Sequence, residues 1–273
     1  MHVEVDGLRL FVDVLSPEYV AAGPQLSRRR TVVLLHGGMD GDSALVRPLA
    51  QRLTEDACVV VADRRANGRS DGGGDPSTWT LERYADDVHD LCVALGIVHP
   101  IVVGSSYGGF IALQYAIRHP NHPAGLVLLA SGPGFDLDAL MAGRHQVDRG
   151  RDADEEARLA ATASRVVRRR AVEAYPPHAF MLDLDLRPQL GAITCPLLAV
   201  IGDADPIFPI RLPEEVVAGV SSADKRLAVI PGGGHRLDGA APDDVVAELR
   251  AFIQHIGPLE DPWAGGRTPY DEG

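Results

Sequence analysis

The sequence predicts an α/β fold: a mostly parallel, eight-stranded sheet with helices on both faces and an antiparallel hairpin at its N-terminal end. Six short, almost unbroken apolar runs carry this prediction, because strands covered on both faces read as continuous Val, Ile and Leu rather than as an alternation. Segments of helical length separate most of these runs, which implies right-handed crossovers and a doubly wound sheet. The opening residues alternate polar and apolar around an Asp-Gly pair, the strongest short-range signal for a hairpin.

Val3 to Val12 forms that hairpin, turning at Asp6-Gly7. The buried runs are Thr31 to Leu35, Cys58 to Ala62, Ile101 to Val103, Leu126 to Ala130, Leu197 to Ile201 and Leu227 to Ile230. Helices are expected over Ala44 to Thr54, Leu81 to Leu95, Tyr107 to His119, Arg211 to Val220 and Asp243 to His255. Residues 132–194 break the rhythm with charged helical stretches and a Pro176-Pro177 break, and an insertion of that length reads as a lid over a site. The tail, residues 257–273, is rich in Gly, Pro and charge and is expected to be loosely ordered. With no linker or internal repeat, residues 1–273 are read as one domain.

The formal charge of −12 and sequence pI of about 5.2 repel phosphate backbones and anionic lipid. Nucleic acid and membranes are therefore not expected partners, and a small-molecule substrate is. Lys225 is the single lysine, a bias we attribute to codon usage. Cys58, Cys92 and Cys195 lie far apart with no Cys-x-x-Cys spacing, so they are expected to be reduced, buried and inert. The N-terminal segment lacks a signal peptide's basic start and apolar core, and no apolar run approaches the roughly 20 residues of a membrane span. A cytoplasmic location is expected. Nothing calls for a metal or an organic cofactor, and the oligomeric state is open, a homodimer included.

Doubly wound sheets hold their ligands beyond the carboxyl ends of the strands. There, Gly104-x-Ser106-x-Gly108 follows a β-branched run and leads straight into a helix, which is the context of a nucleophile elbow. The sharp turn lifts the Ser106 hydroxyl out of the backbone, and glycines on either side avoid collisions with strand and helix. Of ten histidines, His235 alone follows a late strand through a glycine run, Gly232-Gly233-Gly234. That approach lets an imidazole reach across the sheet edge and exchange a proton with the serine near neutral pH. Asp203 and Asp205 both follow the run that ends at Ile201, and either could orient the imidazole. Asp205 is preferred because it stands further out, before Pro206; Asp203 is expected to cap the turn, and Asp136 is a further competitor. The glycine-rich turn His36-Gly37-Gly38-Met39-Asp40-Gly41 can offer the N–H of Gly38 or Met39 to an oxyanion, with Tyr107 giving the second donor; Gly38 is preferred. His36 is expected to order this turn. Apolar pocket walls are expected from Met39, Phe135, Leu137, Leu140, Met141, Phe180 and Met181, which suits a hydrophobic acyl or ring group.

The order Ser106, Asp205, His235 is similar to the nucleophile, acid, base order of the α/β-hydrolase superfamily, which the chain resembles from about Val3 to Ile256. His36-Gly37-Gly38 resembles that family's oxyanion loop, and Asp63-Arg64-Arg65-Ala66-Asn67-Gly68-Arg69-Ser70 resembles its D-x-R-G-x-G-x-S segment. Ala66 stands where the family often has glycine and Asn67 where it often has histidine; Asp63 and Arg64 are read as structural. Serine at position 106 argues against the dehalogenase and epoxide hydrolase branches, which attack through aspartate. The His-Gly-Gly turn is also similar to proline iminopeptidases, although Tyr107 stands in place of their usual tryptophan. The resemblance implies a cofactor-free serine esterase or lactonase that works through an acyl-enzyme. Amide or peptide hydrolysis and C–C bond hydrolysis by the same residues stay open, as does a receptor-like ligand-binding protein on the same fold.

Overall fold

The computed structural model describes residues 1–23, 25–38, 41–72, 79–136, 184–239 and 242–259. β1 (His2–Val5) and β2 (Leu8–Val14) pair antiparallel around Asp6 and Gly7, whose φ angles of 46° and 71° supply the two left-handed positions of a tight hairpin turn. β3 (Tyr19–Ala22) and β4 (Gln25–Arg28) form a separate two-stranded ladder that the apolar pattern does not announce. Then follow β5 (Thr31–Leu35), α1 (Arg47–Arg52), β6 (Cys58–Ala62), α2 (Leu81–Ala94), β7 (Ile101–Ser105), α3 (Tyr107–Arg118) and β8 (Gly125–Leu129). The last elements are β9 (Leu197–Gly202), α4 (Arg211–Gly219), β10 (Lys225–Ile230) and α5 (Asp243–Ile256).

Eight of these strands form one sheet in the order β1-β2-β6-β5-β7-β8-β9-β10. The β1–β2 and β2–β6 pairs are antiparallel and every pair from β6 to β10 is parallel. Every residue of β5 to β9 is buried, as the unbroken apolar runs require, whereas the edge strand β10 is partly exposed. α1 is shorter than Ala44 to Thr54: the Asp42 carboxylate accepts the Ala44 N–H at 2.9 Å and holds a turn there, and the helix begins only at Arg47, with Pro48 in its first turn.

The strand order fixes where a site can form. From β5 the chain crosses to β6 on one side and then to β7 on the other, so the direction of winding reverses between β5 and β7. The crevice beyond the carboxyl ends of those two strands is where such sheets bind ligands. It is flanked by His36-Gly37-Gly38, which leaves β5, and by Ser106, which leaves β7.

Residues 137–183 and 260–273, most of the predicted insertion and tail, lie outside the described residues. The insertion's two described ends meet in a single antiparallel bridge between Gly134 and Asp185. No helix among the described residues is long and apolar enough to cross a membrane. All three cysteines are free and buried, and burial pushes the Cys92 thiol up to about 12.

Candidate active site

Ser106 is held in a conformation that few residues adopt. Its φ of 49° and ψ of −115° lie outside the ordinary regions, a strain that persists only where the surroundings enforce it. The surroundings are specific. The Ser106 N–H donates to the Leu129 carbonyl at 2.8 Å, and its own carbonyl accepts the Ser131 hydroxyl at 2.9 Å, so β8 grips the turn from beside it. A Cβ on Gly104 would stand 2.3 Å from the Gly108 carbonyl oxygen, and one on Gly108 would stand 2.3 Å from the Leu35 carbonyl oxygen. The two motif glycines therefore let α3 close onto β7 and onto the end of β5.

The imidazole of His235 bridges from this serine to an acid. Nε2 lies 3.0 Å from Ser106 Oγ, and Nδ1 lies 3.0 Å from Asp205 Oδ2. A carboxylate accepts only, so Nδ1 carries the proton and Nε2 is left to accept from the hydroxyl. Asp205 is fixed in turn, because its Oδ1 accepts the N–H groups of Ile207 at 2.8 Å and Phe208 at 3.0 Å. Its side chain is wholly buried and that of His235 is 12% exposed, which leaves the chain of hydrogen bonds shielded but open at the histidine end. Asp203 turns away and accepts the Gly232 N–H at 2.7 Å, holding the glycine run that delivers His235. Asp136 pairs with Arg211 instead.

The glycine-rich turn runs directly against the elbow. A Cβ on Gly37 would stand 3.1 Å from both the Ser105 carbonyl oxygen and Ser106 Cβ, and Gly38 takes the left-handed φ of 69°. Tyr107 opens α3, so its N–H has no acceptor within the helix. The two candidate donors, Gly38 and Tyr107, thus belong to the two segments that meet at the elbow. His36 is fully buried: Nε2 accepts the Arg64 N–H at 3.3 Å and Nδ1 donates to the Gly37 carbonyl at 3.0 Å. Burial, reinforced by the nearby Arg64 cation, lowers its pKa to about 3, so it orders the turn as a neutral ring. Asp63 accepts from the Ser43 N–H and from the Arg69 N–H and guanidinium; burial alone would raise its pKa, but these bonds hold it below the usual carboxylate range.

Residues 30–154 match the model of the alpha/beta hydrolase fold. A monoacylglycerol lipase of Mycolicibacterium smegmatis is 30% identical over 257 residues, 85% of this chain and 88% of that protein. The chain belongs to the α/β-hydrolase family. A protein of Caulobacter vibrioides assigned as the carbamate hydrolase RutD is 29% identical over 82% of this chain and 91% of its own. The meta-cleavage product hydrolase of Pseudomonas fluorescens has the same fold, with a TM-score of 0.77 at 16% identity, covering 93% of this chain and 97% of that one. Its relatives make this α/β-hydrolase a hydrolytic enzyme.

Of the pocket residues expected for this hydrolase, Phe135 is described: its ring lies 4.9 Å from that of Phe110 and 5.4 Å from that of Phe208. Met39, Leu137, Leu140, Met141, Phe180 and Met181 lie outside the described residues. Sequence reasoning missed Phe208, whose ring stacks on His235 at 5.7 Å and 12° while its N–H holds Asp205. The signal was local: an aspartate at the head of a turn bonds the N–H groups two and three residues on, which is the position of Phe208. It also missed the buried bond from Ser105 Oγ to Asp238 at 2.9 Å, which ties the residue before the nucleophile to the loop of His235.

Proposed function

We propose that this hydrolase cleaves a carboxylic ester or lactone of a small, partly hydrophobic molecule through an acyl-enzyme on Ser106. One observation carries the reading: an unbroken relay from Ser106 Oγ through His235 to Asp205, each step 3.0 Å. Ser106 Oγ attacks the carbonyl carbon while His235 Nε2 takes its proton, and the carbonyl electron pair moves onto oxygen. The N–H groups of Gly38 and Tyr107 receive that charge. Asp205 holds the imidazole in the required tautomer and balances its cation. The tetrahedral species collapses, His235 returns the proton to the departing alkoxide, and an acyl-serine remains. Water then attacks the acyl carbon with His235 again as base, releasing the acid and restoring the hydroxyl.

The choice of ester over other acyl groups is supported by the likeness to a monoacylglycerol lipase, and the half-buried ring of Phe135, backed by the fully buried rings of Phe110 and Phe208, suits an apolar acyl or ring group. The carbamate hydrolase relative favours a second reading, an amide-like substrate cleaved by the same steps. A panel of p-nitrophenyl acetate and butyrate, simple lactones and carbamates tests both. Ser106→Ala is expected to abolish turnover of whichever substrate is accepted while the protein stays folded; undiminished turnover refutes the nucleophile.

A further inference from the structure

Arg64, the second residue beyond β6, reaches both of the proposed oxyanion donors with one side chain. Its Nη2 donates to the Gly38 carbonyl at 2.6 Å, a short, charge-assisted bond. Its guanidinium carbon stands 4.7 Å from the ring centre of Tyr107 and 5.5 Å from that of Tyr84 on α2. Its backbone N–H donates to His36 Nε2 at 3.3 Å, so the main chain of the same residue anchors the start of the same turn.

Gly38 needs such an anchor. A glycine at a φ of 69° has no side chain to restrict its two soft torsions, and an oxyanion donor stabilises charge only if it is already aimed when the charge develops. A bond to the Gly38 carbonyl fixes one side of that residue, and the contact with Tyr107 ties the fixed turn to the first residue of α3. A flat, permanently charged guanidinium can do both at once; an ammonium can reach a carbonyl but cannot lie face-on against a ring in the same way.

We propose that Arg64 is the positioning residue of the oxyanion hole, clamping the turn after β5 onto the start of α3. The proposal rests on the Ser106 reading above. Arg64 acts through Gly38 and Tyr107 and does not touch the reacting carbonyl, so its loss weakens transition-state stabilisation while leaving substrate binding in place.

The test compares wild type, Arg64→Met, Arg64→Lys and Ser106→Ala, each checked for folding by circular dichroism. Steady-state hydrolysis of p-nitrophenyl butyrate is measured beside the rate of labelling by a fluorophosphonate, whose phosphonyl oxygen enters the same hole. For Arg64→Met, kcat and labelling rate are expected to fall together by about 10- to 100-fold, less than deletion of a donor outright, with KM within about twofold. Arg64→Lys is expected to fall between Met and wild type. Wild-type kcat and labelling in Arg64→Met, or a loss carried by KM instead of kcat, overturns the proposal. If Arg64→Met does not fold, Arg64→Lys decides: a reduced kcat at unchanged KM supports the clamp, and wild-type kcat and labelling overturn it. Failure of the underlying reading looks different, since wild type would then resist labelling and Ser106→Ala would retain turnover.

Discussion

Asp205→Asn changes one charge and almost no volume, which makes it the most informative substitution at the site. Oδ1 of Asp205 accepts two loop N–H groups at 2.8 and 3.0 Å, and Oδ2 faces His235 Nδ1 at 3.0 Å, with the side chain wholly buried. Asparagine keeps an oxygen for the loop, so the turn that includes Phe208 retains its bonds. Its amide nitrogen then faces Nδ1 and is satisfied only if Nδ1 accepts, which moves the imidazole proton to Nε2. An Nε2 that already carries a proton cannot take one from Ser106. A tautomer inversion of this kind costs about 10,000-fold in kcat, or about 5.4 kcal/mol at 1.36 kcal/mol per decade. Asp205→Ala differs, because it also strips two part-buried N–H groups of their acceptor, at up to about 1–3 kcal/mol each. Steady-state hydrolysis of p-nitrophenyl butyrate with urea unfolding of both variants separates the effects: Asn loses turnover and keeps stability, and Ala loses both. A folded Asn variant within about tenfold of wild-type kcat, far short of that inversion penalty, would refute the relay.

The remaining predictions concern the frame around the relay. His36 is lowered to about 3 by burial and by Arg64, so the unfolded chain takes up a proton before the folded one does. The associated stability is complete above the ordinary imidazole value of about 6.5 and drains away as pH falls below it, by up to about 1.4 kcal/mol per pH unit. Urea unfolding between pH 7 and pH 5 should therefore show a steeper loss for wild type than for His36→Asn, and parallel lines would contradict the burial argument. Gly108→Ala adds a Cβ 2.3 Å from the Leu35 carbonyl oxygen and 2.8 Å from that of His36, both backbone atoms. Overpacking of about 1–3 kcal/mol should outweigh the ~1 kcal/mol that alanine ordinarily contributes to a helix, giving a net loss in thermal unfolding together with slower turnover as the proposed oxyanion turn is pushed back. A variant as stable and active as wild type would show that α3 has room to move.

Those features were legible to different degrees for physical reasons. The buried strands could be read because burial on both faces leaves an unbroken apolar run, and the elbow because Gly-x-Ser-x-Gly between such a run and a helix meets its steric demands. The β3–β4 ladder could not be read: each strand is four residues long, too short to show an unbroken apolar run or a full alternation, and cross-strand contacts hold it, including the Arg28–Glu18 ion pair at 2.6 Å and Arg28 over the Tyr19 ring. Ser106, Asp205 and His235 could be nominated because each follows a different strand into a turn. What sequence spacing does not contain is which side chains from other strand ends lean on that trio. Arg64 reads as one more basic residue beside Asp63 until Gly38 and Tyr107 are seen on either side of it. Phe208 reads as core, and is core, but only the structure shows its buried ring parallel to His235.

The nucleophile itself is most directly tested by intact-mass measurement of the enzyme mixed with p-nitrophenyl butyrate and quenched in acid within milliseconds, followed by peptide mapping. A mass increase of one butyryl group, located on the peptide that carries Ser106 and absent from Ser106→Ala, is the predicted result. Continued turnover with no adduct, or with the acyl group on another residue, would contradict it.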